Sequence, residues 1–133
     1  MSEKNVQIVR EIYEAFGSGD VPGVLSKFAP DIHWMEAENF IYADRNPYIG
    51  PQAVLEGVFL RFVSEWNNFT VTTEAVLGVS DQVVTLGSYS GTYKATGKSV
   101  QAQMVHVWTI ADGKAIKFQQ HTDTKQFADA VVA

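Results

Sequence analysis

MVHVWTIADGKAIKFQQHTDT, residues 104–124, decides the fold. Apolar and polar residues alternate on both sides of Asp112-Gly113, which is the period of a strand, and an Asp-Gly pair between two such runs marks a β-hairpin. Two closures of that hairpin are open. In a three-residue loop over Ala111-Asp112-Gly113, with Gly113 left-handed, Ile110 pairs with Lys114 and Trp108 with Ile116. Met104, His106 and Trp108 then share a face with Ile116, Phe118, Gln120 and Thr122. The opposite face receives Val105, Val107, Gln119, His121 and Asp123. A two-residue Asp112-Gly113 turn shifts the pairing by one and brings His121 and Asp123 to the face of His106. The three-residue loop is preferred, because it gathers Ile110, Trp108, Ile116 and Phe118 on one apolar face.

Upstream the same period reaches back to Phe69. Strands are expected over 69–79, 83–94, 99–110 and 115–124, with turns at Ser80-Asp81, Thr96-Gly97 and Asp112-Gly113. Before Phe69 the period is helical. Val9, Ile12, Tyr13 and Phe16 form one helix between Ser2 and Gly17. In DVPGVLSKFAPDIHWME, residues 20–36, Asp20 caps a second helix with Val24, Leu25 and Phe28 on its apolar side and Pro22 in its first turn. Pro30 ends that helix, since the residue before a proline avoids the α region. Ile32 to Glu36 is a short strand. Residues 37–50 form a loop whose Phe40, Tyr42 and Tyr48 suit a lid or rim better than a solvated linker. Val54, Leu55, Val58, Phe59, Phe62 and Val63 mark a third helix ending near Trp66. Helices followed by a meander describe a single α+β domain over 1–133, three N-terminal helices packed on a strongly curved, mostly antiparallel sheet.

Composition removes several functions. A chain of 133 residues with 46% hydrophobic content buries roughly two-thirds of its unfolded surface as one domain. Net charge is −5 with Lys and Arg scattered singly, so no nucleic-acid partner is expected. No apolar run is long enough to span a membrane, and the charged N-terminal stretch is not a signal peptide. Cysteine is absent, which removes disulfides and thiolate chemistry. A cytoplasmic location is expected.

FAPDIHW (28–34), PYIGPQAV (47–54), the Tyr93-Lys94-Ala95-Thr96-Gly97-Lys98 turn, HVWTIADGKAIKF (106–118) and HTDT (121–124) occur in a characteristic order of helices and strands. That pattern, over nearly the whole chain, resembles the SnoaL-like group of the nuclear-transport-factor-2-like superfamily, to which ketosteroid isomerase belongs. The resemblance implies a cystatin-like cone. It leaves the reaction open, because this fold hosts isomerases, cyclases, epoxide hydrolases, dehydratases and non-enzymatic binders. Ketosteroid isomerase uses an Asp base with an oxyanion hole of Tyr and a protonated Asp. By resemblance Glu36 falls at the base and His106 at the protonated Asp. The oxyanion Tyr position falls on Ile12, with Tyr13 about 100° further round the helix. The carboxylate of the epoxide-hydrolase branch is Gln120 here, and the late acid of the polyketide-cyclase branch is matched by Asp123.

The residues themselves support the same two candidates. Ile32, Trp34 and Glu36 share one face of their strand, so Trp34 and Glu36 can look into the cavity that His106 faces. An apolar pocket would raise the pKa of Glu36 and make it a useful base near neutral pH. Glu36 can also be read as a solvated strand end, and His106 as a buried neutral histidine satisfied by the backbone. Trp34, Phe59, Tyr89, Met104, Trp108, Phe118 and Gln120 are expected to shape a cavity for a flat, apolar ligand. His33, His106 and His121 differ in parity and lack ligand spacing, so no metal site is expected, and no cofactor. The expected function is a small cofactor-independent enzyme of SnoaL-like type that moves a proton next to a carbonyl, with Glu36, His106 and Asp123 as catalytic candidates. The alternative is a non-catalytic binder of a small hydrophobic molecule. A homodimer through the outer sheet face is expected, because Val105 and Val107 would otherwise be exposed.

Overall fold

A computed structural model describes residues 2–133. Helix α1 (Ser2–Gly17) and α2 (Val21–Leu25) lead into β1 (Phe28–Met35) and the short β2 (Tyr48–Ile49). Helix α3 (Pro51–Val54) runs through a π-turn, Leu55–Phe59, into α4 (Leu60–Glu65). Strands β3 (Trp66–Val79), β4 (Gln82–Tyr93), β5 (Ser99–Ala111) and β6 (Lys114–Thr122) follow, and α5 (Thr124–Ala130) ends the described chain. The six strands form one sheet in the order β2-β1-β6-β5-β4-β3, antiparallel except for β1 against β6. The fold is therefore α+β, with helices over a curled sheet. Among the described residues no helix is long and apolar enough to cross a membrane.

Helix α2 is shorter than its apolar spacing suggests. The Asp20 carboxylate accepts from the Gly23 N–H at 3.0 Å, as expected of the cap. The helix stops at Leu25, however, where the Ser26 hydroxyl donates to the Gly23 carbonyl at 2.7 Å. Phe28 thus opens β1 instead of closing a helix, and Pro30 lies inside the strand. It is tolerated because the β1–β6 pairing slips between Phe28 and His33, leaving a gap that needs no N–H from Pro30. The aromatic loop is neither solvated nor a loose lid: Phe40, Tyr42 and Tyr48 are all buried. Phe40 packs against Phe127 of α5, a helix the sequence reading did not include.

The hairpin closes through the two-residue turn, not the three-residue loop. Ala111 pairs with Lys114, and both turn residues have positive φ, 51° at Asp112 and 76° at Gly113, as a type I′ turn requires. A register shift then separates Ile110↔Ala115 from Thr109↔Lys117, so Ile116 is an extra residue on β6. This bulge reverses the parity change that the tight turn would impose. Trp108 pairs with Phe118 and His106 with Gln120, while Ile116 is 38% exposed instead of sharing the inner apolar face. His106, Trp108, Phe118 and Gln120 keep a common face by a different route.

Across the sheet this register builds two rows. Trp34 pairs with Phe118, Phe118 with Trp108 and Trp108 with Val83, an apolar row over four strands. Trp34 and Phe118 stack with ring centroids 3.6 Å apart. In the next row Thr85 pairs with His106 and His106 with Gln120. Glu36 follows Met35, whose partner on β6 is Gln119, and so comes opposite Gln120. Among the described residues, the side chains that are both buried and polar or charged, tyrosines aside, are these four.

Candidate active site

A small cavity of about 50 Å³ lies over the polar row. By the usual requirement of at least about 10–15 Å³ per water, that is room for a few waters or one small ligand. Glu36 and His106 both line it, as do Trp34, Phe59, Tyr89, Trp108, Phe118 and Gln120. Two candidates lie elsewhere. Met104 is buried on the same sheet face, but the cavity does not extend to it. Asp123 lies past the end of β6 as the N-cap residue of α5, where its carboxylate accepts from Gln126 Nε2 at 3.0 Å. It faces a surface groove with His121 and cannot share a ligand with Glu36 and His106 in this cavity.

Glu36 is held by its backbone. Its N–H donates to Asn46 Oδ1 at 3.0 Å, and Asn46 Nδ2 donates to its carbonyl at 2.9 Å, so one amide side chain imitates a strand partner where β1 has ended. Glu36 is 2% exposed. Trp34 Nε1 donates to Oε2 at 3.2 Å, and Oε1 has no hydrogen-bond partner among the described residues. Burial disfavours the charged form and pushes the pKa up from 4.5 to about 8, partly offset by the Trp34 N–H and the positive charge of Arg61. At neutral pH this is an uncharged acid near the midpoint of its titration.

His106 has both ring nitrogens occupied. Nδ1 shares a 2.6 Å hydrogen bond with the Tyr13 hydroxyl, and Nε2 shares one with the Tyr89 hydroxyl. Each phenol is held from behind: Trp108 Nε1 donates to Tyr13 at 3.0 Å, and Gln120 Nε2 donates to Tyr89 at 3.0 Å. Gln120 is oriented by the backbone, because its Oε1 accepts the Ala37 N–H at 3.1 Å and leaves only the amino group for Tyr89. One amide therefore ties the strand end carrying Glu36 to the histidine network. Burial, helped by the charge of His121, pushes the His106 pKa down from 6.5 to about 3, so the ring is neutral. Burial also raises both tyrosines; for Tyr13 the Thr85 hydroxyl and Trp108 oppose the rise, and for Tyr89 the Glu36 charge adds to it.

Tyr13 is the residue that sequence reasoning sets aside. A separation of about 100° suggests that either Ile12 or Tyr13 turns away, yet both line the cavity. The apolar stripe of a surface helix is itself about 100° wide, so adjacent residues at its centre can face the same space. Thr85 was also missed, although its alternation with Val83 signals an inward position. Its Oγ1 is buried near the Tyr13 hydroxyl, close enough to act on that group's pKa, but it makes no hydrogen bond of good geometry among the described residues.

The SnoaL-like domain model matches residues 9–118. An NTF2-like protein from Burkholderia thailandensis superposes with a TM-score of 0.92 at 35% identity, covering 96% of this chain and 97% of that one. TerC, crystallised with polyporic acid, superposes with a TM-score of 0.84 at 23% identity, over 96% and 97% of the two chains. A candidate SnoaL-like polyketide cyclase from Jannaschia sp. CCS1 gives 0.84 at 19% identity, over 99% and 94%. Comparison with curated protein sequences found no match.

Proposed function

This chain belongs to the SnoaL-like domain family, and within it we propose a small enzyme that needs no cofactor and moves a proton next to a carbonyl of a small, neutral, apolar molecule. Isomerisation, aldol cyclisation and dehydration share that step. The observation that carries the proposal is Glu36: a carboxyl buried in an aromatic cavity, one oxygen unpartnered, with its pKa pushed up to about 8. Ionised, it takes a proton from the carbon beside the carbonyl; protonated, it returns one to a neighbouring atom. A phenolic hydroxyl of the Tyr13–His106–Tyr89 group donates to the carbonyl oxygen as negative charge develops there. The stacked rings of Trp34 and Phe118 form a flat apolar wall for the ligand.

The test is turnover of enolisable ketones and polyketide-like esters across pH. With Glu36 as base, kcat/KM rises about tenfold per pH unit up to about pH 8 and is level above it. A flat profile removes Glu36 from the base role. Stoichiometric binding of an apolar ligand with no turnover on any substrate favours the binding-module alternative.

A homodimer belongs to the same proposal. Val84 pairs with Val107 and Leu86 with Val105 on the outer sheet face, where Leu86 is 37% exposed in the single chain. Sedimentation at micromolar concentration is expected to give twice the chain mass, and a monomer would contradict it.

A further inference from the structure

We infer that Tyr13, His106 and Tyr89 form an uncharged proton wire, which takes up a proton at one phenol and releases another at the opposite phenol while His106 changes tautomer. The inference rests on the proton-transfer function proposed above and adds the route by which donor and acceptor exchange places.

Counting protons leads to it. Trp108 Nε1 and Gln120 Nε2 can only donate in their contacts, so each phenol oxygen already accepts one hydrogen bond. The two phenols and the neutral imidazole hold three further protons between them. The contacts at Nδ1 and Nε2 use one proton each. One proton is left over, and it must sit on a tyrosine. With Nδ1 protonated, His106 donates to Tyr13 and accepts from Tyr89, so the spare hydroxyl proton belongs to Tyr13. With Nε2 protonated, it belongs to Tyr89. Each phenol has one fixed donor behind it and lines the same cavity, although Tyr13 is half-buried beside the Thr85 hydroxyl and Tyr89 is fully buried nearer Glu36. The two fixed donors, one at each phenol, force neither tautomer.

The step balances without an ion on the ring. Tyr13 gives its spare proton to a ligand oxygen; the proton on Nδ1 moves to the Tyr13 oxygen; the Tyr89 proton moves to Nε2; and Tyr89 receives a proton from the ligand or from Glu36. Three O–H or N–H bonds break in the wire and three form. The histidine ends neutral with its proton on the other nitrogen, and the spare donor has moved from Tyr13 to Tyr89. Such a group suits ligands that must lose a proton at one site and gain one at another, as a carbonyl compound does when it becomes its enol.

The test needs no substrate. Side-chain ¹⁵N NMR of the resting protein reports the tautomer at each ring nitrogen, with the His106 signals identified as those missing from His106→Gln. Wild type is expected to show both nitrogens at intermediate shifts. Tyr89→Phe should drive the ring to the Nδ1–H form, which keeps Tyr13 as acceptor, and Tyr13→Phe to the Nε2–H form. If one variant does not fold, wild type and the other variant suffice. The same single tautomer in every folded protein overturns the wire, as does protonation of His106 between about pH 5 and 8. Exchanging tautomers in a protein that turns over nothing would support the wire while refuting the enzyme, so the two failures are separable.

Discussion

Replacing Glu36 by Gln should make the protein more stable, and increasingly so as pH rises. Glu36 has a pKa near 4.5 when exposed in the unfolded chain and about 8 in the fold. Between those values the folded state holds one proton that the unfolded state has released. Stability therefore falls with rising pH by about 1.4 kcal/mol per unit and is level above pH 8. The amide of the Glu36→Gln variant cannot titrate, so the variant lacks this loss. Its advantage over wild type should be constant below about pH 4.5, grow by about 2.7 kcal/mol between pH 5 and 7, and saturate near pH 8 at about 4–5 kcal/mol. That is a large share of a typical 5–15 kcal/mol of folding stability. His106 moves oppositely: its pKa falls from 6.5 to about 3, so its contribution is lost as pH drops through that window. It is present in both proteins and cancels from the difference. The assay is urea unfolding at a series of pH values from about 4 to 9, followed by the fluorescence of Trp34, Trp66 and Trp108, and the quantity read is the pH slope of the difference. Parallel curves for wild type and variant would show that Glu36 ionises in the fold as it does in water, and the buried-acid reasoning would be refuted.

Trp34→Phe removes the N–H that donates to Glu36 Oε2, so the Glu36 pKa should move further up, visible as a shifted carboxyl titration by ¹³C NMR; an unchanged midpoint would show that the bond does not stabilise the carboxylate. Gln120→Met keeps the length of the side chain but orphans the buried Ala37 N–H, and urea unfolding should register a loss of about 1–3 kcal/mol. Gly57→Ala places a Cβ against the Tyr48 ring inside the π-turn, so a cost of about 1–3 kcal/mol from overpacking should exceed the 0.5–1 kcal/mol gained by replacing a helical glycine, and a net stabilisation would show that the ring yields freely.

The strands were legible because their alternation is unambiguous, and the polar row came with them. Glu36, His106 and Gln120 are polar residues at inward positions of otherwise apolar runs, which makes such residues visible without coordinates. The hairpin was legible only in its outcome. Asp112-Gly113 is the tighter turn, and grouping the apolar residues gave the right face for His106 because the Ile116 bulge cancels a shift that the sequence does not announce. Tyr13 escaped because helix rotation cannot be fixed to better than the width of its apolar stripe. Helix α5 escaped because its apolar face rests on Phe127 and Ala130 alone, too little for a period. The Asp123–Gln126 spacing was its available signal: a capping-type pair, which the structure joins at 3.0 Å. The same pair explains why Asp123 belongs to a helix start and not to the cavity.

The central claim, that Glu36 carries a proton to and from carbon, is tested most directly by deuterium exchange. Small apolar ketones incubated with the protein in D₂O are followed by NMR at the carbon next to the carbonyl. Wild type is expected to wash deuterium into at least one ketone that it binds, and Glu36→Gln to slow that exchange by about 10²–10⁴-fold while remaining folded. Exchange at the full rate in Glu36→Gln, or ketones that bind tightly and never exchange, would contradict it.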